Sequence, residues 1–207
     1  TGTSTFTVAG GQNITLGSDN TFSDAVTFVA SGGIIQSVEI NDSDAFILQE
    51  LRTTGNLTVT AGGNITDSGT LTVGGDLAAT TDASSSTIDL DTLAVTGSIA
   101  LNTHGSGAAT VVEAAAIEFA TSTVGGALSA TATTGNITQS GALDIEGTTT
   151  LVTTAEGATI VLGTATNAFG TLLITTNDNE NPVDGTFAAN VTISAGSGAA
   201  LDFGNST

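Results

Sequence analysis

The chain of 207 residues contains one stretch of sequence twice, and this repeat constrains the fold more than any other feature. The first copy, GNITDSGTLTVGG, spans residues 63–75, and the second, GNITQSGALDIEG, spans residues 135–147. Gly, Asn, Thr, Ser and the apolar positions stay in register, whereas the positions between them differ. A short unit of this kind cannot bury its own apolar face and needs neighbouring copies stacked on it. The repeat therefore predicts a solenoid.

The alternation of apolar and polar residues indicates that the solenoid is built from strands. Leu57, Val59 and Ala61 alternate with Thr58 and Thr60, and similar runs recur along the chain with turn signals such as Gly-Gly between them. Hairpins packed into a sandwich would show tight two-residue turns and no self-similarity along the chain. We therefore predict an all-β parallel β-helix with coils of about 20 residues, roughly ten coils in all, forming a rod roughly 45 to 50 Å long.

The composition of the chain supports a thin interior. Hydrophobic residues make up 39% of the chain and are mostly Ala, Val, Ile and Leu, whereas Trp, Tyr, Met and Cys are absent. Few large side chains are therefore left to fill a broad globular core. Stacked coils need only a narrow core of small and β-branched residues.

The charge of the chain excludes two classes of partner. The formal net charge is -19, and Arg52 is the single Lys or Arg residue. Binding to nucleic acid or to an anionic membrane surface requires clusters of basic side chains, so we exclude both. We expect no membrane insertion, because no apolar run approaches the length of a membrane span. A chain with so few sites for trypsin-like proteases suits an extracellular or cell-surface location, and we expect it to follow a removed signal or to be a fragment.

The regularity of the sequence changes along the chain. We expect a single β-solenoid domain over residues 1–207. Within it, residues 1–52 form irregular first coils, residues 53–176 form the regular repeats, and residues 177–207 form a loop and the terminal coils.

Two segments have an ambiguous local pattern. Residues 45–51 (AFILQEL) fit either a short helix or a wide strand. Residues 113–119 (EAAAIEF) have a helix-compatible composition, but their flanking Val and Thr residues favour a strand.

Two segments carry a resemblance to a known family. The segments GNLTVTAGGNIT (55–66) and GNITQSGAL (135–143) resemble the repeats of filamentous-haemagglutinin-type exoproteins. The resemblance covers about residues 53–176. It implies a right-handed parallel β-helix and a role as a secreted bacterial adhesin or surface fibre.

Oxygen-rich loops raise the question of calcium, and no other cofactor is expected. Residues 177–184 (NDNENPVD) concentrate oxygen donors, and Asp178, Glu180 and Asp184 are the candidate ligands for Ca²⁺. The segment Asn41–Asp44 is a smaller cluster of the same kind. The alternative for both segments is a polar turn, in which Asn and Asp are chosen for their backbone geometry.

Catalytic and surface-binding alternatives rest on a few residues. Asp89 and Asp91 place two carboxylates on one side of a strand, as in a polysaccharide-active enzyme, although a solvated acidic face explains them more simply. His104 lies in a glycine-flanked turn and is interpreted as a surface residue rather than a catalytic one. Thr-x-Thr segments such as Thr58–Thr60 are compatible with ice binding only if successive coils repeat them, and here they do not.

Recurring Asn-x-Thr/Ser triplets match glycosylation acceptors. Those at Asn56, Asn64 and Asn136 lie inside the repeat, so we interpret them first as structural turn residues.

These observations predict a structural or adhesive solenoid segment of a secreted bacterial surface protein or extracellular fibre, and not an enzyme. The alternatives are a polysaccharide-active parallel β-helix enzyme and an ice-binding solenoid. The expected partners are further copies joined end to end, the rest of a longer chain, or a host or cell-surface glycan.

Overall fold

The computed structural model describes residues 2–164, 166–177 and 190–196. These residues form 21 strands and no helix, and hence no helix able to cross a membrane. The strands are β1 (Ser4–Ala9), β2 (Ile14–Asn20), β3 (Val26–Ser31), β4 (Val38–Asp42), β5 (Phe46–Leu48), β6 (Leu51–Thr53), β7 (Leu57–Ala61), β8 (Ile65–Asp67), β9 (Leu71–Val73), β10 (Leu77–Thr81), β11 (Ile88–Val95), β12 (Ile99–Asn102), β13 (Ala109–Glu113), β14 (Ile117–Phe119), β15 (Ser122–Val124), β16 (Leu128–Ala132), β17 (Ile137–Gln139), β18 (Leu143–Glu156), β19 (Ile160–Leu162), β20 (Ala168–Asn177) and β21 (Val191–Ile193).

Parallel pairing between successive coils arranges the strands in three stacks. Stack one contains β2, β4, β7, β10, β12, β15 and the first residues of β18 and β20. Stack two contains β1, β3, β5, β8, the first half of β11, β13, β16 and the later parts of β18 and β20. Stack three contains β6, β9 and the second half of β11 and, after a break in the pairing, β14, β17, β19 and β21. From β4 onward, each coil therefore contributes one strand, or one part of a longer strand, to each stack.

The spacing of paired residues gives the length of a coil. Leu57 pairs with Leu77, and Leu77 pairs with Ile99, so one coil contains about 21 residues. The described residues form about eight coils, fewer than the ten expected, because several coils are longer than 20 residues and part of the chain lies outside the description. The fold is an all-β parallel β-solenoid, and the predicted fold class is confirmed.

Alternation within each strand places the aliphatic residues inside and the polar residues outside. In β7, Leu57, Val59 and Ala61 are fully buried, whereas the threonines between them are half-buried. Register then aligns Val59 with Ala79 and Leu101, so that small and large aliphatic side chains alternate along the interior. Because each inward residue packs against its equivalents in adjacent coils, a narrow core suffices.

The irregular segments are also strands. Residues 45–51 contain β5 and the start of β6, and residues 113–119 contain the end of β13 and all of β14. The strand alternative is therefore confirmed for both. In the first coils, the ring of Phe6 packs edge-on against Phe22, with centroids 5.8 Å apart, and stacks on Phe28 at 6.1 Å.

The sequence repeat is longer than a coil and is out of phase with it. Ile65 lies in stack two, but its counterpart Ile137, 72 positions later, lies in stack three. Leu71 lies in stack three, and its counterpart Leu143 lies in stack one. One repeat therefore advances the chain by about three and one-third coils, and equivalent residues appear on successive faces of the rod.

A threonine in the interior of the solenoid leads to a stability prediction. Thr149 is fully buried between Leu128 and Leu172 of the neighbouring coils, and its hydroxyl has no hydrogen-bond partner in the described part of the chain. Thr149→Val keeps the shape and removes this unsatisfied group, so we expect the free energy of unfolding to rise by about 1 kcal/mol in urea titrations. Thr150→Val is the matched control, because Thr150 is half-buried and points outward. A loss of stability in Thr149→Val, with no change in Thr150→Val, would contradict the interpretation.

Candidate functional site

The outward face of stack one carries mixed polar columns rather than continuous rows of threonine. The column through Thr58 contains Glu39 in the preceding coil and Ala78 in the following one. The column through Thr60 continues through Thr80 but changes to Asn102 in the next coil. The Thr-x-Thr motif is therefore interrupted in neighbouring coils.

The repeated asparagines have the same structural role in both copies. Asn64 Oδ1 accepts a hydrogen bond from the backbone N–H of Thr87 in the next coil, at 2.9 Å. Asn136 Oδ1 accepts the equivalent bond from Thr159, at 2.8 Å. Each asparagine thereby satisfies a backbone donor at a corner where strand pairing stops. The structural interpretation of these Asn-x-Thr triplets is confirmed.

A second corner carries a continuous column of such bonds, directly before the strands of stack one. Ser37 Oγ accepts the N–H of Asn56 at 3.0 Å, and Asn56 Oδ1 accepts the N–H of Asp76 at 3.0 Å. Asp76 Oδ1 in turn accepts the N–H and the hydroxyl of Ser98 at 2.8 and 3.0 Å. Polar side chains thus join four successive coils. Asn56 is explained by this column in the same way as the other repeated asparagines.

One corner of the repeat bridges coils with a pair of side chains, and the pair differs between the two copies. In the first copy, Asp67 accepts hydrogen bonds from the N–H groups of Asp91 and Thr92, both at 3.1 Å, and from the Thr92 hydroxyl. In the second copy, Gln139 occupies the position of Asp67 and pairs with Asn167 through two amide hydrogen bonds of 2.9 and 2.8 Å. The same corner is therefore held by a half-buried carboxylate in one copy and by a pair of amide side chains in the other.

Asn167 is the most highly connected polar side chain of the second copy. It is 1% exposed, and its Oδ1 also accepts the N–H of Leu143 at 2.9 Å. Its Nδ2 donates to the carbonyl oxygens of Ser194 at 3.0 Å and Leu162 at 3.4 Å. This one amide therefore connects segments from successive coils.

Glu113 is a buried carboxylate that repairs an interruption of stack three. The register of β11 shifts between Leu90 and Leu93, and Leu93 then pairs with Glu113 at the end of β13. Glu113 Oε2 accepts the N–H of Val95 at 3.0 Å, and Oε1 accepts the N–H of Ala115 at 3.3 Å. The carboxylate thus takes the place of a main-chain carbonyl. Burial raises the pKa of Glu113, and the backbone donors lower that pKa only in part.

The raised pKa of Glu113 predicts a pH dependence of stability. The folded chain holds this proton at pH values where the unfolded chain, with a pKa near 4.5, has already released it. The free energy of unfolding therefore falls as the pH rises from that value through the folded pKa. Glu113→Gln should lack this component of the decline when urea titrations are compared across the range, whereas the exposed control Glu118→Gln should keep it. Parallel profiles for wild type and Glu113→Gln would contradict the prediction.

The residues proposed from sequence for catalysis are all on the surface. Asp89 and Asp91 are both exposed, and the register shift after Leu90 places Asp91 at a corner, where its N–H binds Asp67. His104 is exposed in a turn, where its carbonyl oxygen accepts the N–H groups of Ser85 and Gly107. The turn predicted around His104 is therefore present.

The predicted calcium ligands Asp178, Glu180 and Asp184 lie outside the described residues, so the calcium site stays a prediction. In the smaller cluster, Asp42 is buried, and its two oxygens accept the N–H groups of Phe22 and Asp44, both at 2.9 Å. In residues 2–164, 166–177 and 190–196, no three His, Cys, Asp or Glu side chains lie together as a metal site would require.

Sequence reasoning did not identify Glu113 and Asn167 as buried polar residues. Glu113 lies in a run of alternating burial, Ala109, Val111, Glu113, in which every other residue points inward. Continuing that alternation through β13 would have placed its carboxylate inside. Asn167 lies in the turn directly before β20, outside the alternation of a strand, and has no comparable local signal.

Comparison with known proteins identifies the repeat. Neither a curated protein nor a solved structure matches the chain. The family described as repeats of unknown function (DUF5649) matches residues 35–102 and again residues 106–176, about two thirds of the chain together. Each match spans about three and one-third coils, so the unit of the family is the long repeat and not the single coil. The chain belongs to this family of repeats, DUF5649.

Proposed function

We propose that the chain is a stiff structural or adhesive segment of a secreted bacterial surface protein or extracellular fibre. The observation that supports this most strongly is that backbone hydrogen bonds join each coil to the next, that corner side chains add further bonds, and that Glu113 bridges the break in stack three. About eight coils at a strand spacing of about 4.8 Å give a rod roughly 38 Å long. Such a rod would hold whatever is joined to it at a fixed distance.

The surface chemistry supports a location outside the cell. Twenty acidic residues and one basic residue keep the rod soluble by mutual repulsion and offer a single cleavage site to trypsin-like proteases. The resemblance of residues 55–66 and 135–143 to haemagglutinin-type repeats supports the same role. In this proposal, the exposed columns of Thr, Asn and acidic residues would meet a cell surface or a glycan.

Spin labels test the stiffness of the rod directly. The chain has no Cys, so labels can be placed at Ile47→Cys and Thr150→Cys without background. Both residues point outward in stack two and are five coils apart, which predicts a separation of roughly 24 Å between backbones. The control pair Ile47→Cys and Thr110→Cys spans three coils and predicts roughly 14 Å. Narrow distance distributions in this ratio support the proposal, and broad overlapping ones overturn it.

The adhesive role needs its own measurement. Chain labelled at Thr150→Cys is titrated onto immobilised cell-surface glycans, and saturable binding supports adhesion, whereas no binding leaves the structural role alone.

Release of soluble products from acidic polysaccharides, abolished by Asp89→Asn and Asp91→Asn, would instead favour an enzyme. End-to-end association into fibres stays a prediction, and sedimentation at increasing protein concentration, with and without Ca²⁺, tests it.

A further inference from the structure

Arg52 is a cation without a partner among the described residues, in a chain dominated by acids. It is the single Lys or Arg among 207 residues, against 20 Asp and Glu. Its side chain is exposed on the outer side of β6, and it forms no hydrogen bond or ion pair with any described residue. A guanidinium offers five N–H donors in a planar fork that matches a carboxylate. These donors are available to a ligand.

An open cavity of about 390 Å³ lies beside this guanidinium. The isolated bridge between Ile35 and Thr53 places Ile34 next to Arg52, and the turn that leads there passes through Gly32 and Gly33, both in the left-handed region. The other residues that line the cavity are apolar or glycine, namely Phe28, Val29, Ala30, Gly33, Ile34 and Ile35, of which Phe28 and Ile35 have side chains buried in the core. The volume is within the usual range for small-molecule sites.

The stacking of the solenoid does not require a cation at this position. Below Arg52 in the same outward column are Thr72 and then Ala94. In the second copy of the repeat, the equivalent residue of β15 is Thr123. Coils therefore pair equally well with uncharged residues here, and the charge of Arg52 calls for another explanation.

We propose that this cavity binds an apolar monocarboxylate, with the carboxylate on Arg52 and the hydrocarbon body against the exposed Val29 and the half-buried Ile34. One guanidinium compensates one negative charge, and the net charge of -19 repels ligands that carry several. A sugar acid fits less well, because no other polar side chain lines the cavity to bind its hydroxyl groups. A bidentate carboxylate pair combined with apolar burial supplies both orientation and affinity.

Titration of the intact chain with octanoate, followed by backbone amide NMR shifts, tests the site. The expected result is saturable shifts confined to residues around 28–35 and 52, with octanol and glucuronate binding at least about tenfold more weakly. Arg52→Gln should weaken octanoate binding by about tenfold or more, and Val29→Asp should weaken it by repelling the ligand. Thr123→Glu is the matched control, since it changes the net charge by the same amount at the equivalent position and should leave binding unchanged.

Three results would overturn the proposal. The first is the absence of saturable shifts with octanoate. The second is equal binding of octanol and octanoate, which would indicate a nonspecific apolar surface. The third is unchanged octanoate binding by Arg52→Gln with circular dichroism like that of the wild type.

Discussion

Replacing Gly125 with alanine is expected to lower the free energy of unfolding by about 2 to 4 kcal/mol. Gly125 lies at the corner after β15, and a Cβ atom there would overlap the carbonyl oxygen of Gly105 in the preceding coil. The backbone φ of Gly125 is not in the left-handed region, so the cost comes from the close approach of two coils alone. Because the obstructing atom belongs to the backbone, the two coils have to separate at this corner and lose neighbouring hydrogen bonds.

Gly163→Ala is the matched control for Gly125→Ala. A Cβ atom on Gly163 would meet no atom of the described residues within 4 Å, and its φ is also outside the left-handed region. We expect a change of no more than about 1 kcal/mol in either direction. Urea unfolding followed by far-UV circular dichroism measures both variants, since the chain has no Trp or Tyr for fluorescence. Equal stabilities of the two variants would show that the corners are not closely packed.

The second large effect is expected for Asn167→Ala, with a loss of about 2 to 4 kcal/mol. The substitution removes the pair with Gln139 and leaves the buried N–H of Leu143 without its acceptor. An unsatisfied buried donor costs more than the net value of the lost hydrogen bond. The result should therefore exceed that of an ordinary surface substitution.

Asn177→Ala provides the comparison for Asn167→Ala. Asn177 is exposed, and its Nδ2 donates to the carbonyl oxygen of Thr154 at 2.8 Å. Its loss should cost less than about 1 kcal/mol in the same urea titration. Should Asn167→Ala be as mild as Asn177→Ala, the buried network would not contribute to the stability of these coils. If Asn167→Ala is strongly destabilising as expected, the loss of free energy of unfolding in the double variant Gln139→Ala/Asn167→Ala should be smaller than the sum of the losses in the two single variants, because the two residues share one network.

The two copies of the repeat show which parts of the site could be predicted. Asn64 and Asn136 recur in the sequence and make the same bond to the next coil, so their structural role followed from the repeat itself. Asp67 and Gln139 also occupy equivalent positions, but they differ in charge and in burial of their partners. Their partners, Thr92 and Asn167, lie 25 and 28 residues away, a separation that no local pattern specifies.

The amino-acid sequence by itself determined that this chain folds into stacked parallel strands. Alternation with a period of two defines the buried side of each strand, and the recurrence of the unit requires neighbours to cover it. Both signals are local, so they can be identified without knowing how coils meet.

Only the tertiary structure decided which residues of different coils come together. The spacing between paired residues varies from 18 at Ile35 and Thr53 to 31 at Ile160 and Val191, and each insertion at a corner shifts everything that follows. Because of these accumulated shifts, equivalent residues of the two long repeats lie in different stacks. The same shifts bury Glu113 at a break in stack three and place Ile34 beside Arg52. Corner geometry depends on contacts between backbones of adjacent coils, which the order of residues does not display.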